Sequence, residues 1–421
     1  MICILILIGM LICYITRIIP IGVTSVCGAL LTAAFGINSL SNVTAQFVND
    51  IILLQIGVMI IGDAFFEVGL ADALGDFIER RFSKNEKLLM IAIITITSLV
   101  AAVISNTATV ALFLPIVIAI EVSSHGKIKR KNIFMALGFA AVLGGNLTLF
   151  GSTPQLAVQS ILLNSDLPGV RGLGVFELTM PAVPLVVLLI LYYVFIGEKL
   201  QRKVFKSDQE ETVKITERQK KDAPLYKKIE VCVIYLLCIV FFVWGIIPVG
   251  ITAVIGASLC IALRCIGEKR AYQSVEWTTI IMLGGILAFS DSFTKSGAGQ
   301  TIVNGVLSLF GGQVLPPLAM YSIVIVCAIV LTSVMSNTAV AAMLAPIAIE
   351  MAIASGANPM TFVIGVIIAS NISFCTPIAS PPVAMTVSAG YKFSDYFKLG
   401  GLFTVFAGIY VVFGIPLMLG L

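Results

Sequence analysis

Long apolar runs dominate the chain, and the polar residues that interrupt them recur in a fixed order. Met1–Tyr14, Lys87–Ile104, Pro181–Ile196 and Val231–Ile247 each have the composition of a bilayer-spanning helix, which needs roughly 20 residues. Continued along the chain, the pattern predicts about ten to twelve crossings. Two segments, Phe65–Phe82 and Phe293–Gly312, are too polar and glycine-rich to face lipid throughout. A hairpin that enters halfway and returns fits each, because irregular backbone at membrane depth persists only inside protein or beside a water-filled cavity. An amphipathic helix lying at the interface is the competing reading. The first apolar run has no basic leader or small-residue cleavage site and is expected to stay as a first helix.

The two halves of the pattern match. IPIG at 19–22 answers IPVG at 247–250, and the apolar stretch 50–72 answers 278–300. SNTATVALFLPI, from Ser105, answers SNTAVAAMLAPI, from Ser336, each with a proline eight residues after the threonine. GGNLTLFGSTPQ (144–155) answers SNISFCTPIASPP (370–382). These landmarks keep their order at offsets of 225 to 231, which is an internal duplication. It divides the chain into repeats at 1–197 and 229–421, joined by a polar segment at 198–228 with ten Lys/Arg against six Asp/Glu. That segment and the basic stretches 79–87, 125–131 and 267–270 are expected on the cytoplasmic side. An odd number of spans per half would invert the second copy, and duplicated halves with matching interruptions point to a secondary transporter.

Composition narrows the class further. Hydrophobic residues make up 59% of 421 positions and charged ones 11%, and the mean hydropathy is +1.07. So few charges cannot cover a soluble protein of this size, nor do they suggest a nucleic-acid partner. The nine cysteines show no CxxC pair, and the single histidine, His125, stands in a polar loop. No metal-hydrolase motif, nucleophile–base pair or phosphate loop is present, so no catalytic residues, resident metal or organic cofactor are expected.

The candidate chemistry lies in the SNT segments and in GSTP (151–154) and ASPP (379–382). Three successive polar side chains point over most of a helical turn, which a single packing interface cannot use, although membrane helices do use such residues for interhelical hydrogen bonds. A helix broken there would offer amides and a positive dipole end to an anion, and free carbonyls to a small cation. No Lys or Arg neighbours these motifs along the sequence. An anion would then need its counter-charge from bound cations. Asp63 and Asp291 occupy matching positions and are expected as solvated acids at the hairpin ends, with proton carriage as the alternative; Glu121 and Glu350 follow the SNT segments near helix ends.

The doubled SNT motif, LGGILAFSDSFTKSGA (283–298) and SPPVAMTVSAGYKFSDYFKLGG (380–401) resemble the divalent anion:sodium symporters of the ion transporter superfamily, over nearly the whole chain. The resemblance implies an all-α polytopic membrane protein of two inverted repeats, with eleven spanning helices and two re-entrant hairpins. It also implies a homodimer in the lipid bilayer and an elevator-like movement. By motif, one Na⁺ would meet Ser105, Asn106 and Gly151, and a second Thr332, Asn337 and Ala379. The substrate would meet Asn106, Thr107, Ser152, Thr153, Ser336, Asn337, Thr338 and Pro381. The chain departs from the family at Ala101, where a cation-ligating serine is usual, and at Gln155 and Val383, where the proline motifs usually end in asparagine. GGNLTLFGS also leans toward arsenite and cation/proton antiporter relatives. The expected function is Na⁺-coupled transport of a four-carbon dicarboxylate such as succinate or malate. Citrate or sulfate symport and sodium-independent dicarboxylate exchange are the alternatives.

Overall fold

The computed structural model describes residues 1–82, 85–124, 128–165, 167–197, 200–201, 223–309 and 315–421. His125 and most of the 198–228 segment lie outside the described residues. The described part is helical. In the first half the helices are α1 (Ile2–Thr16), α2 (Ile21–Ala34), the short α3 (Leu40–Ala45), α4 (Asp50–Glu67) and α5 (Leu70–Phe82). They continue with α6 (Glu86–Ala101), α7 (Asn106–Ser123), α8 (Arg130–Gly145), α9 (Thr153–Leu163) and α10 (Thr179–Gly197). The second half runs through α11 (Leu225–Trp244), α12 (Val249–Ala262), α13 (Glu268–Ser274), α14 (Trp277–Lys295) and α15 (Ala298–Leu309). It ends with α16 (Pro317–Thr332), α17 (Asn337–Ser355), α18 (Pro359–Ser370), α19 (Pro381–Met385) and α20 (Phe393–Leu419).

Among the described residues five helices are long and apolar enough to cross a bilayer alone, fewer than the crossings expected. The difference has a physical cause. Five further apolar helices, α1, α2, α12, α16 and α18, are only 10–17 residues long, too short to cross by themselves. Large apolar side chains cover the outer surface, among them Leu5, Leu236, Val405 and Leu417. That is the arrangement of a polytopic membrane protein, whose solvent is lipid.

Contacts fix the directions of these helices. Glu86 accepts a hydrogen bond from Asn132 Nδ2 at 2.6 Å, and Ser98 Oγ donates to Ala140 O at 3.1 Å, so α6 runs parallel to α8. Glu121 pairs with Arg130 at 3.5 Å, while an ideal Cβ on Gly145 would lie 2.5 Å from Asn106 Oδ1, so α7 runs antiparallel to α8. α6 and α7 therefore form a hairpin whose base is beside the start of α8 and whose tip is the first SNT motif. The second half repeats this. Tyr321 packs on Gly365, Thr332 Oγ1 donates to Ser370 O, and α17 returns to the start of α18, which places the second SNT motif at the tip of the α16–α17 hairpin.

The sequence reading puts the hairpins at 65–82 and 293–312, of which 310–312 lie outside the described residues. Each contains the end of a long helix, a left-handed glycine turn (Gly69, φ 75°; Gly297, φ 65°) and a separate amphipathic helix, α5 or α15. The SNT motifs lie at the turns between α6 and α7 and between α16 and α17, and helices α8–α9 and α18–α19 are separated by irregular segments that carry the second paired motif.

The two hairpins open on opposite faces. Gln201 Nε2 donates to Asn132 O at 2.9 Å and Tyr391 Oη to Lys131 O, so the first hairpin's base shares a face with the linker ends. α20 leaves that face and ends where Thr361 Oγ1 donates to Gly420 O at 2.6 Å, beside the second hairpin's base.

Outside the hairpins, α2 packs parallel to α14 and α4 parallel to α12 through glycines. A Cβ on Gly285 would come within 2.5 Å of the Ser25 carbonyl carbon, and one on Gly57 within 2.5 Å of that of Ala253. Backbone cannot yield as a side-chain end does. Gly285→Ala is therefore expected to cost about 1–3 kcal/mol, seen as a lower Tm and a poorer yield of monodisperse protein in detergent. An unchanged Tm would contradict the α2–α14 contact.

Candidate functional site

The local chemistry of the SNT motif explains its recurrence. After α6 ends at Ala101, Ser105 becomes the N-cap of α7, its Oγ accepting from Ala108 N at 3.3 Å. Asn106 and Thr107 then occupy the first turn, where backbone amides have no partner inside the helix. Ser336 caps α17 in the same place, followed by Asn337 and Thr338, and Ser152 precedes α9, whose first residues are Thr153 and Pro154. Three helix N-termini thus reach one cavity of about 210 Å³, each bringing unpaired amides and a positive dipole end.

That cavity collects nearly every residue expected from the sequence: Ser105, Asn106, Thr107, Gly151, Ser152, Thr153, Ser336, Asn337, Thr338, Ala379 and Pro381 all line it. Thr332 does not. It is fully buried behind Asn337, and its Oγ1 lies 2.9 Å from Asn337 Oδ1 and within hydrogen-bond reach of Ser370 O. The cavity widens past Gln55, Met59 and Asp63 on α4 and Ser274, Glu276 and Thr279 at the start of α14. Asp63 and Ser274 lie toward the linker face, since Lys227 at the start of α11 donates to Leu263 O, just ahead of α13. The exposed Glu276 lines the cavity, so the cavity reaches that face.

Asn146 and Asn371 were not picked out by sequence reasoning. They stand 225 residues apart, at matching places in the two broken spans, and Asn371 Nδ2 donates to Asn146 Oδ1 at 2.7 Å. Asn371 Oδ1 faces Ser152 Oγ and Asn337 Nδ2, each at 3.4 Å, tying both halves of the site together. The signal was present in GN and SN at the head of the second paired motif. Gln155 donates to Gly145 O at 2.9 Å and to Asn146 Oδ1 at 3.0 Å. It braces the site from behind instead of lining it. Val383 is likewise buried away from the cavity.

Two threonines hold the interruptions open. Thr148 Oγ1 donates to Ala102 O and Thr376 Oγ1 to Ser333 O, both at 2.6 Å, so carbonyls freed at the hairpin tips find partners. Around Gly151 the oxygens crowd: a Cβ there would lie 2.5 Å from Gly145 O and 2.9 Å from Ala101 O. With its amide turned to satisfy its neighbours, Asn106 Nδ2 donates to Ala141 O at 2.9 Å and Gly151 O at 3.2 Å.

The acids are tied to basic partners or amides. Asp63 takes a bidentate pair from Arg270 at 2.7 and 3.0 Å, and Asp291 accepts from Asn38 and Lys295, both at 2.8 Å. Both are tie points between helices, not solvated hairpin ends. One cation does approach a motif, from far along the chain: Arg17 Nη2 donates to Ile378 O at 2.7 Å, 361 residues away. No arginine or lysine lines the cavity among the described residues.

A polytopic helical protein with an amide- and hydroxyl-rich cavity at its core, free of Lys and Arg among the described residues, is a membrane transporter by its fold and site. The Citrate transporter family (CitMHS) matches residues 10–364, and the chain belongs to it. The sodium-dependent high-affinity dicarboxylate transporter 3 of Caenorhabditis elegans is 25% identical, over 93% of this chain and 78% of that protein. The sodium-dependent dicarboxylate transporter SdcS of Staphylococcus saprophyticus is 24% identical, over 90% and 78%. The uncharacterized transporter YfbS of Escherichia coli is 34% identical, but the match covers 41% of this chain and only 28% of that protein. The solved structure of MtrF from Neisseria gonorrhoeae shares the fold at a TM-score of 0.60 and 14% identity, covering 91% of this chain and 83% of that one.

Removing Asn371 would take from Asn146 Oδ1 one of its two buried donors, leaving Gln155 alone, at about 1–3 kcal/mol, and would free Asn337 and Ser152. Asn371→Ala is expected to cut transport of labelled substrate in vesicles at least tenfold (about 1.4 kcal/mol) while the protein stays folded in the membrane. Near-normal transport would contradict its place in the site.

Proposed function

We infer that the protein couples Na⁺ to the movement of a small divalent anion, a four-carbon dicarboxylate such as succinate or malate. The observation that carries this reading is the pair of equivalent donor sets facing one cavity. Asn106, Thr107, Ser152 and Thr153 offer hydroxyls and amides from one half; Ser336, Asn337, Thr338 and Pro381 form the set from the other. Two such sets suit one carboxylate each. The cavity is smaller than the ~300–1,000 Å³ typical of drug-sized ligands, which suits a short diacid.

The cation follows from the electrostatics. Taking a dianion from water into a site of neutral donors is costly without counter-charge. The carbonyls of Ala101 and Gly145 beside Gly151, with Ser105 and the Asn106 side chain, are hard oxygen donors suited to Na⁺. Thr332, Ser370 O, Asn337 and Ala379 form the second group. Ala101 supplies no hydroxyl where Thr332 supplies one, so the two cation groups differ by one ligand.

Matching helices that run in opposite directions support inverted repeats at 1–197 and 229–421, with eleven spans as the resemblance implies. The cavity lies at a seam between α1–α4 with α11–α14 and α6–α10 with α16–α20. Movement of the second group against the first would expose the site on alternate faces, and the resemblance extends this to a homodimer. Citrate is the second reading, favoured by the matched family.

The test is uptake of radiolabelled succinate into proteoliposomes under an inward Na⁺ gradient, with K⁺ as control and citrate as competitor. Uptake with Na⁺ alone, weakly inhibited by citrate, is expected. Equal uptake in K⁺ would overturn the coupling. Citrate transport without succinate transport would overturn the substrate.

A further inference from the structure

α1 ends in a left-handed residue, and that residue is Arg17 (φ 53°), whose amide donates to Cys13 O at 2.9 Å. Its counterpart at the end of α11 is Gly245 (φ 65°), closed by the same bond to Phe241 O at 3.0 Å. Glycine is the ordinary choice for this conformation, and a residue that carries a Cβ is disfavoured there. Strain alone carries no role, because Arg264 (φ 57°) sits in a similar left-handed place after α12. The difference is what the side chains do. Arg264 makes no side-chain hydrogen bond or ion pair among the described residues. Arg17 reaches Ile378 O at 2.7 Å.

That contact joins the two helix groups. The α1–α2 turn belongs with α2, which is packed through glycine backbone onto α14. Ile378 belongs to the loop between α18 and α19, one residue before Ala379, Ser380 and Pro381, which line the cavity. A guanidinium on a carbonyl is a charge-assisted bond, here at the linker face, which the cavity reaches. At the matching place in the first half, the broken span meets α11 through an apolar contact instead, Phe150 against Phe242 with ring centroids 4.5 Å apart. The polar tie is made on one face only.

We propose that Arg17 is a positioning residue and latch, holding the α18–α19 loop of the site against the α1–α2 turn in the conformation open to the linker face, and releasing it when the cavity opens to the other face. This rests on the alternating movement inferred under Proposed function, and not on which anion is carried. The latch biases the equilibrium toward the linker-open state, since it exists in one state only.

Arg17→Gly removes the guanidinium and suits the left-handed backbone, so the turn keeps its shape. Arg17→Lys keeps the charge and loses the planar fork. Arg264→Gly is the backbone control. The readout is a cysteine at Ala108, which lines the cavity, labelled in oriented vesicles by a membrane-impermeant maleimide and quantified on its own peptide by mass spectrometry. In the otherwise unchanged protein the label enters from the linker face. Arg17→Gly is expected to raise labelling from the opposite face about fivefold, the population shift from losing one exposed charge-assisted bond, with a smaller rise for Arg17→Lys and none for Arg264→Gly. No rise with Arg17→Gly, an equal rise with Arg264→Gly, or labelling of the unaltered protein only from the opposite face would each overturn the latch. Because the assay contains no substrate, a shift in labelling without succinate uptake would leave the latch standing and remove the dicarboxylate reading.

Discussion

Every backbone amide and carbonyl placed at membrane depth must find a partner within the protein, and the rest of this structure follows from that requirement. Two hairpins reverse at the SNT motifs and two pairs of helices, α8–α9 and α18–α19, are interrupted beside them, so four sets of backbone polar groups are released inside the protein. The protein resolves them pairwise. Thr148 and Thr376 take the carbonyls of Ala102 and Ser333, and Asn146 and Asn371 close on each other. Gln155 takes up Gly145 O. The starts of α7, α9 and α17 bring further amides to one cavity, where a ligand can satisfy them.

The same economy explains the absence of a basic residue from the cavity wall. Amides and hydroxyls at helix starts attract an anion without the fixed positive charge that would also hold it against release. A site without fixed positive charge has a cost: the anion's charge is balanced only if a cation arrives with it. In the proposed reading, the oxygen cluster around Gly151 and the group around Thr332 would supply that balance, with Asn106 and Asn337 shared between the proposed anion and cation groups.

Much of this was legible in the sequence because duplication doubles the signal. A single SNT could be packing; two at matching positions, with prolines at matching offsets, are hard to explain that way, and the residues so marked line the cavity together. The reversals at the SNT motifs were not read as hairpin tips for a physical reason. The arms, α6–α7 and α16–α17, are as apolar as spanning helices, and three polar residues interrupt them too briefly to tell a reversal from a break. The polarity of α5 and α15, by contrast, suggested buried irregular backbone and instead reflects separate amphipathic helices. Asn146 and Asn371 repeat at the head of the second paired motif, but their role shows only when the fold brings the two side chains together. Arg17 was hidden by its distance along the chain from Ile378, which only folding removes.

If the anion's cavity needs a cation to complete it, binding of the two must be linked, and each must tighten the other by the same factor. Calorimetric titration of succinate into the purified protein, in Na⁺ buffer and in K⁺ buffer of equal ionic strength, measures this without any movement of the protein across a membrane. The account predicts binding at least tenfold tighter in Na⁺, about 1.4 kcal/mol of coupling. Equal affinity in the two buffers would contradict it.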